Sequence, residues 1–145
     1  MASPHRAVDI LAAFHALIVD LPLVGQNVFK GRVWDYDNTP SHALFLGASQ
    51  ADTTNTQVTD EDQLIRDEIT VVGPEEELDK KLLEVHAEAY VALMADLTLG
   101  LSYVQEIAFI GMTEPEYIEQ SRRPILQAVF TWRVTYRHSY TDPGN

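Results

Sequence analysis

FTWRVTYRHSY, Phe130–Tyr140, decides how this chain folds. Phe130, Trp132, Val134 and Tyr136 alternate with Thr131, Arg133, Thr135 and Arg137. Successive side chains of a strand point to opposite faces, so this period of two puts the bulky residues on one face and the polar ones on the other. The stretch predicts a strand over Pro124–His138 whose Phe130/Trp132/Val134/Tyr136 face covers a core. At about 3.3 Å per residue the quoted run would reach some 36 Å, against five or six residues for a usual strand. Part of it is therefore expected to project past the sheet or to pair elsewhere, as an unprotected edge that an assembling protein can use.

The residues upstream supply the layer that this strand covers. Ala7, Ile10, Phe14, Leu17 and Leu21 recur at spacings of three and four, which predicts a first helix opened by Ser3-Pro4 and ended by Pro22 and Gly25. Asn27–Tyr36 (NVFKGRVWDY) reads as a strand, Asp37–Pro40 as a turn, and Ala43–Ala48 as a short apolar strand, the two strands forming a hairpin or lying as neighbours. Ser49–Gln63 (SQADTTNTQVTDEDQ) is polar and acidic and reads as a mobile loop at about 49–63. Leu64–Gly73 resumes alternation, with Ile65, Ile69 and Val71 on one face and Arg66, Glu68 and Thr70 on the other. Pro74–Leu97 is the strongest helix, with acidic Glu75, Glu76 and Glu77 at its positive end and a stripe of Leu78, Leu82, Val85, Ala89, Leu93 and Leu97. Tyr103–Gly111 reads as a strand, and Met112–Arg123 as an acidic connector. The order α-β-β-β-α-β-β predicts an α+β fold, a mostly antiparallel sheet with two helices packed on one face. The 145 residues read as one domain, 1–145.

Composition excludes several functions. The chain has no cysteine, which removes disulfides, thiolate catalysis and cysteine zinc sites. Asp and Glu number 22 against 10 Lys and Arg, so the surface repels phosphate backbones, and no direct nucleic-acid recognition is expected. That charge suits a basic partner surface instead. No stretch approaches the roughly 20 apolar residues that span a bilayer, so no membrane partner is expected. Asp9 and His15 interrupt the N-terminal apolar run, which does not read as a signal peptide.

Site chemistry is sparse. His5, His15, His42, His86 and His138 fall in no metal spacing. His86, between Glu84 and Glu88, reads as part of a solvated helix face, and His138 as a surface histidine. Ser41 and His42 are adjacent, a poor arrangement for nucleophile and base. Asp60-Glu61-Asp62 lacks the glycine and ligand spacing of a calcium loop and reads as a solvated charge run. No glycine-rich phosphate loop or nucleophile elbow is present. Catalytic, cofactor-binding and metal residues are therefore expected to be none, with no cofactor and no enzymatic activity. Trp34 and Tyr36 share a face with Lys30 and Arg32, and read either as core aromatics or as interface anchors.

The strand beginning VFKGRVW (Val28–Trp34), the segment ADLTLGL (Ala95–Leu101) and the closing AVFTWRVTYR (Ala128–Arg137) stand in a familiar order. In that order, over roughly residues 5–143, the chain resembles the tail terminator proteins of long-tailed bacteriophages, the minor tail protein U-like group. The resemblance implies an α+β structural protein of the virion that forms a hexameric ring at the head-proximal end of the tail, assembled in the host cytoplasm. Such a ring caps the tail tube, ends its polymerisation and offers a surface for head joining. The implied partners are further copies of the chain, the tail tube protein and the head–tail connector or neck protein. Alternatives are a neck completion protein and, from another class, a small ligand-binding or enzymatic domain. No functional residue carries over from the group. The residues themselves nominate Trp34, Tyr36, Arg133 and Arg137 for subunit or tube contacts. Asp52, Asp60, Glu61 and Asp62 are nominated on a loop that orders on a partner. Two arginines on an acidic protein suggest that opposite charges meet between neighbours.

Overall fold

The computed structural model describes residues 5–31, 39–52, 57–118 and 123–145. The elements run α1 (Arg6–Ile18), β1 (Val28–Lys30), β2 (Ser41–Asp52), β3 (Val58–Val72), a 3-10 turn (Glu75–Glu77), α2 (Leu78–Met94), β4 (Val104–Met112), β5 (Glu116–Ile118) and β6 (Ile125–Ser139). Among the described residues they build one sheet in the order β1-β2-β3-β6-β4, with β5 beside β6. All its pairings are antiparallel except that of β1 with β2. This is the expected α+β architecture, with both helices on one face.

β6 behaves as its alternation requires. Phe130, Trp132, Val134 and Tyr136 are fully buried, and the residues between them face the other side of the sheet. The helices close over this inner face. α1 buries Ala7, Ile10, Phe14 and Ile18, and the Phe14 ring meets Trp132 edge-on at 6.0 Å. α2 buries Leu78, Leu82, Val85, Ala89 and Leu93. His5 caps α1, its Nδ1 accepting from the Ala7 amide at 3.0 Å. The Ser3-Pro4 opening lies outside the described residues. α1 stops at Ile18, short of Pro22, where the Val19 amide donates to the His15 carbonyl.

Four expectations are corrected. β6 is no exposed edge: every residue of β3 pairs with it on one side, while β4 and β5 line the other. Its length is matched by the equally long β3, so nothing projects unpaired. Second, Ser49–Gln63 is not a loop along most of its length. Ser49–Asp52 ends β2 and Val58–Gln63 begins β3, paired Ser49↔Gln63 to Asp52↔Asp60. Third, the connector after β4 contains β5. Fourth, the first strand is shorter than expected among the described residues, β1 spanning Val28–Lys30; of the two arrangements expected it lies beside β2 as a neighbour, in parallel, and not as a hairpin. The rest of the expected first strand, Trp34 and Tyr36 included, lies outside the described residues.

Trp132 sits where both helices and the sheet meet, and removing it opens a cavity that rigid neighbours cannot fill. Trp132→Ala should cost about 3–5 kcal/mol of stability, whereas Thr131→Ala, next to it on the outer face, should cost below about 1 kcal/mol. Thermal or denaturant unfolding of the two variants tests this, and equal losses would contradict the assignment of faces.

Candidate assembly surface

Among the described residues, the outer face of the sheet carries no helix. Its polar residues are fixed by the β3–β6 register, which sets Asp60 opposite Arg137 and Asp62 opposite Thr135. Arg137 Nε donates to Asp60 Oδ1 at 2.8 Å, and the Thr135 hydroxyl donates to Asp62 at 2.6 Å. The hydrogen bond from Arg137 holds the Asp60 carboxyl below its ordinary value, with the guanidinium charge reinforcing it against desolvation. Arg133 lies 3.7 Å from Glu106 on β4. These pairs are largely open to water, so each adds at most about 1 kcal/mol. Their main effect is to neutralise charge along a face that would otherwise repel a neighbour. Asp60 and Arg137 thus meet within one chain, and this pair does not need a neighbouring copy to supply the opposite charge.

Between these pairs the outer face forms a shallow trough of about 380 Å³. Leu64, Asp62 and Arg133 make its floor, Ala48 and Gln50 of β2 one wall, and Ile110 of β4 the other. Side chains of both flanking strands, β2 and β4, thus reach one depression across β3 and β6. β2 shifts register between Leu46 and Ser49, and β4 shifts at Val104/Glu106 and again at Phe109/Gly111, where Ile110 lies. An extra residue on one strand bends it and increases its twist.

Glu61 points to the opposite face from Asp60 and Asp62. It accepts from the Tyr136 hydroxyl at 2.7 Å and lies 3.0 Å from His138 Nε2. Burial alone would raise its pKa, but the bonds from Tyr136, Ser49 and His138 outweigh that and lower it. Burial and the Glu61 carboxylate together push the Tyr136 phenol up. His138, expected at the surface, is only 9% exposed, because Glu61 gives it a partner at the end of the inner face.

A second polar group lies deeper. His42 Nδ1 is 2.7 Å from Asp67 Oδ2, and both side chains are buried. Ser41 faces the other side of β2, since neighbours on a strand diverge, so it cannot serve His42 as a nucleophile. His86, expected on a solvated face, is partly buried and stacks on Phe130 at 4.2 Å. Among the described residues, no group of three or more His, Asp or Glu could hold a metal ion. A further cavity of about 260 Å³ has mostly apolar walls, with Lys81 and Glu84 at its margin.

Of the nominated residues, Asp60, Asp62, Arg133 and Arg137 share the outer face, Glu61 belongs to the inner one, and Asp52 ends β2. The sequence reading missed Ile110, which is half-exposed on β4, and Asp67. Asp67 was visible in the alternation, two residues from both Ile65 and Ile69.

No family model and no curated protein matches the chain. Among solved structures it is similar to a chain of the "Virion of native gene transfer agent (GTA) particle", with 14% identity, a TM-score of 0.40 and 90% of each chain covered. The functional reading therefore rests on the chain's own geometry.

Acid should destabilise the fold in two steps. Burial lowers the His86 pKa, opposed by Asp67 and aided by His42. A base with a depressed folded pKa keeps its full stability above its unfolded value, 6.5 for histidine, and loses it as pH falls below that. Glu61 and Asp60 are depressed carboxyls, so their contribution is present above 4.5 and 3.8 and is lost as pH falls through their folded values. Thermal midpoints measured against pH should fall twice. His86→Phe should erase the upper step and Glu61→Gln should shrink the lower one. An upper step that survives His86→Phe would refute the assignment.

Proposed function

We propose that the chain is a structural virion protein that forms a ring on the phage tail tube, ends tube polymerisation and provides the surface for head joining. The observation that carries this reading is the one-sided build of the sheet. The helices use one face, and among the described residues the other face, which carries the trough and the Asp60–Arg137 pair, is left without a layer. An antiparallel sheet can leave one face in water, but this face carries a trough lined in part by Leu64 and Ile110, which another surface can cover. The order of motifs that resembles the tail terminators supports a ring as that surface, with the tail tube and the neck protein as its neighbours along the tail.

The outer-face residues Asp62, Arg133 and Arg137 are then contacts to copies or to the tube, together with Trp34 and Tyr36. Asp52, at the free end of β2, belongs to the same surface. Glu61 acts within the chain, holding Tyr136 and His138.

Deleting the gene from a phage that carries it tests the proposal. Overlong tails are expected, because nothing stops tube growth. Normal-length tails that fail to join heads would replace the reading with a neck completion protein, and wild-type particles would remove the virion role. Supplying the chain in trans should restore tail length, whereas an Asp62→Lys/Arg133→Glu variant should restore it less than about a tenth as well.

A further inference from the structure

The two long sides of the sheet differ from its centre. On β2, β1 covers only Val28–Lys30 opposite His42–Leu44, so the outer side of Leu46–Asp52 meets no strand among the described residues. On β4, the side away from β6 is likewise unpaired among the described residues. Exposed edges are usually protected by lysine, proline or inward-facing charge. Leu46–Ala51 (LGASQA) has none of these, its small side chains let another backbone approach, and the register shift between Leu46 and Ser49 is the irregularity that a partner strand must match. β4 has a single charged residue, Glu106, which already lies beside Arg133. Its exposed side chains are apolar at the far end, Ile110 at 51% and Met112 at 40%.

Beside β4, helix α2 carries a second apolar row. Leu83 and Tyr90, at 51 and 39% exposure, lie seven residues apart on one side of the helix, at the margin of the buried stripe. The Tyr90 ring contacts Phe109 of β4 at 6.0 Å, so the row is continuous with that edge. Surface of this kind on an otherwise strongly acidic chain marks a contact.

Strand direction fits a second copy of this chain as the occupant. β2 and β6 run the same way, each being antiparallel to β3, and β4 runs against β6. The two open edges therefore run in opposite directions. Copies related by rotation about an axis along the strands would bring β4 of one against β2 of the next as an antiparallel pair, the more stable arrangement. The edges are different surfaces, so the contact is heterologous, and such contacts close into rings when the rotation allows. Bulges bend and twist the strands that carry them, and the register shifts of this sheet lie on the two edge strands.

We propose that the partner at the β4 edge and the α2 row is a second copy of this chain, which adds its Leu46–Asp52 edge as an antiparallel strand. The proposal rests on the ring reading above and specifies which surfaces join. The bulges in β4 limit indiscriminate pairing and leave Glu106–Phe109 in regular register for one partner.

The absence of cysteine makes the test direct. Ala48→Cys and Gln50→Cys are each combined with Ile110→Cys and treated with a short bis-maleimide, on the purified chain at high concentration and on isolated tails. Light scattering reports the mass of the same samples. At least one double variant should give a ladder of covalent multimers ending at the ring mass, while single variants give none. Dimers from Ile110→Cys alone would overturn the proposal in favour of a two-fold contact. A ring mass without a ladder from either double variant would overturn edge pairing and leave the ring reading intact. No ring in solution or on tails would overturn both. As a second measurement, Ile110→Lys and Leu46→Lys should each abolish multimers alone yet form dimers when mixed, because one sound edge remains on each chain. No dimer from the mixture, with both variants folded by circular dichroism and the unmodified chain assembling, would also overturn it.

Discussion

Everything in this fold depends on the ladder between β3 and β6. It runs without a register shift from Val58↔Ser139 to Val72↔Ile125. Because side chains alternate with a period of two, a slip by one residue would turn Phe130, Trp132, Val134 and Tyr136 out into water. It would also put Arg133 and Arg137 under the helices. The same register places Asp67 opposite Phe130, on the inner face. A buried carboxylate without a partner is costly, and β2 answers this with His42, which reaches Asp67 from the neighbouring strand. The core pair is thus a consequence of the central ladder and is satisfied one strand away.

The ladder also sorts the acidic residues. Asp60 and Asp62 go to the outer face, where Arg137 and Thr135 meet them, and Glu61 goes inward to Tyr136 and His138. Three consecutive acids that look like one solvated run therefore serve two faces. Only the partner strand, far away in sequence, gives them their different roles.

The strong alternation of β6 and the stripe of α2 were legible because each pattern repeats several times with large residues. The arms Ser49–Asp52 and Val58–Gln63 were not, since their own side chains are small or polar. They are ordered by pairing with Ile65–Val72's continuation and with β6, and the apolar residues that fix them lie in β6. β5 has three residues and no pattern to read. His86 was misplaced because its acidic neighbours in sequence, Glu84 and Glu88, point elsewhere on the helix. Its spacing of four from Leu82 already set it beside the buried stripe. The candidate surface was partly legible as arginines on an alternating strand. Its trough was not, because the strands that line it are brought together only by pairing across the sheet.

Net charge of −12 opposes close approach of copies. Charge repulsion acts over about 10 Å at 0.1 M salt, whereas strand pairing acts only at contact. On the sheet's outer arm Asp60 is paired with Arg137 and Asp62 accepts from Thr135, and Leu46–Ala51 is uncharged. Three further acids sit elsewhere, in the Glu75–Glu77 turn at the start of α2. On this reading, dilute copies repel one another until something holds them in register, and the edges then meet with little local charge between them. A tube end is such a template, since it fixes copies side by side. On the proposed reading, such a balance favours assembly at a tube end or at high concentration over assembly in dilute solution.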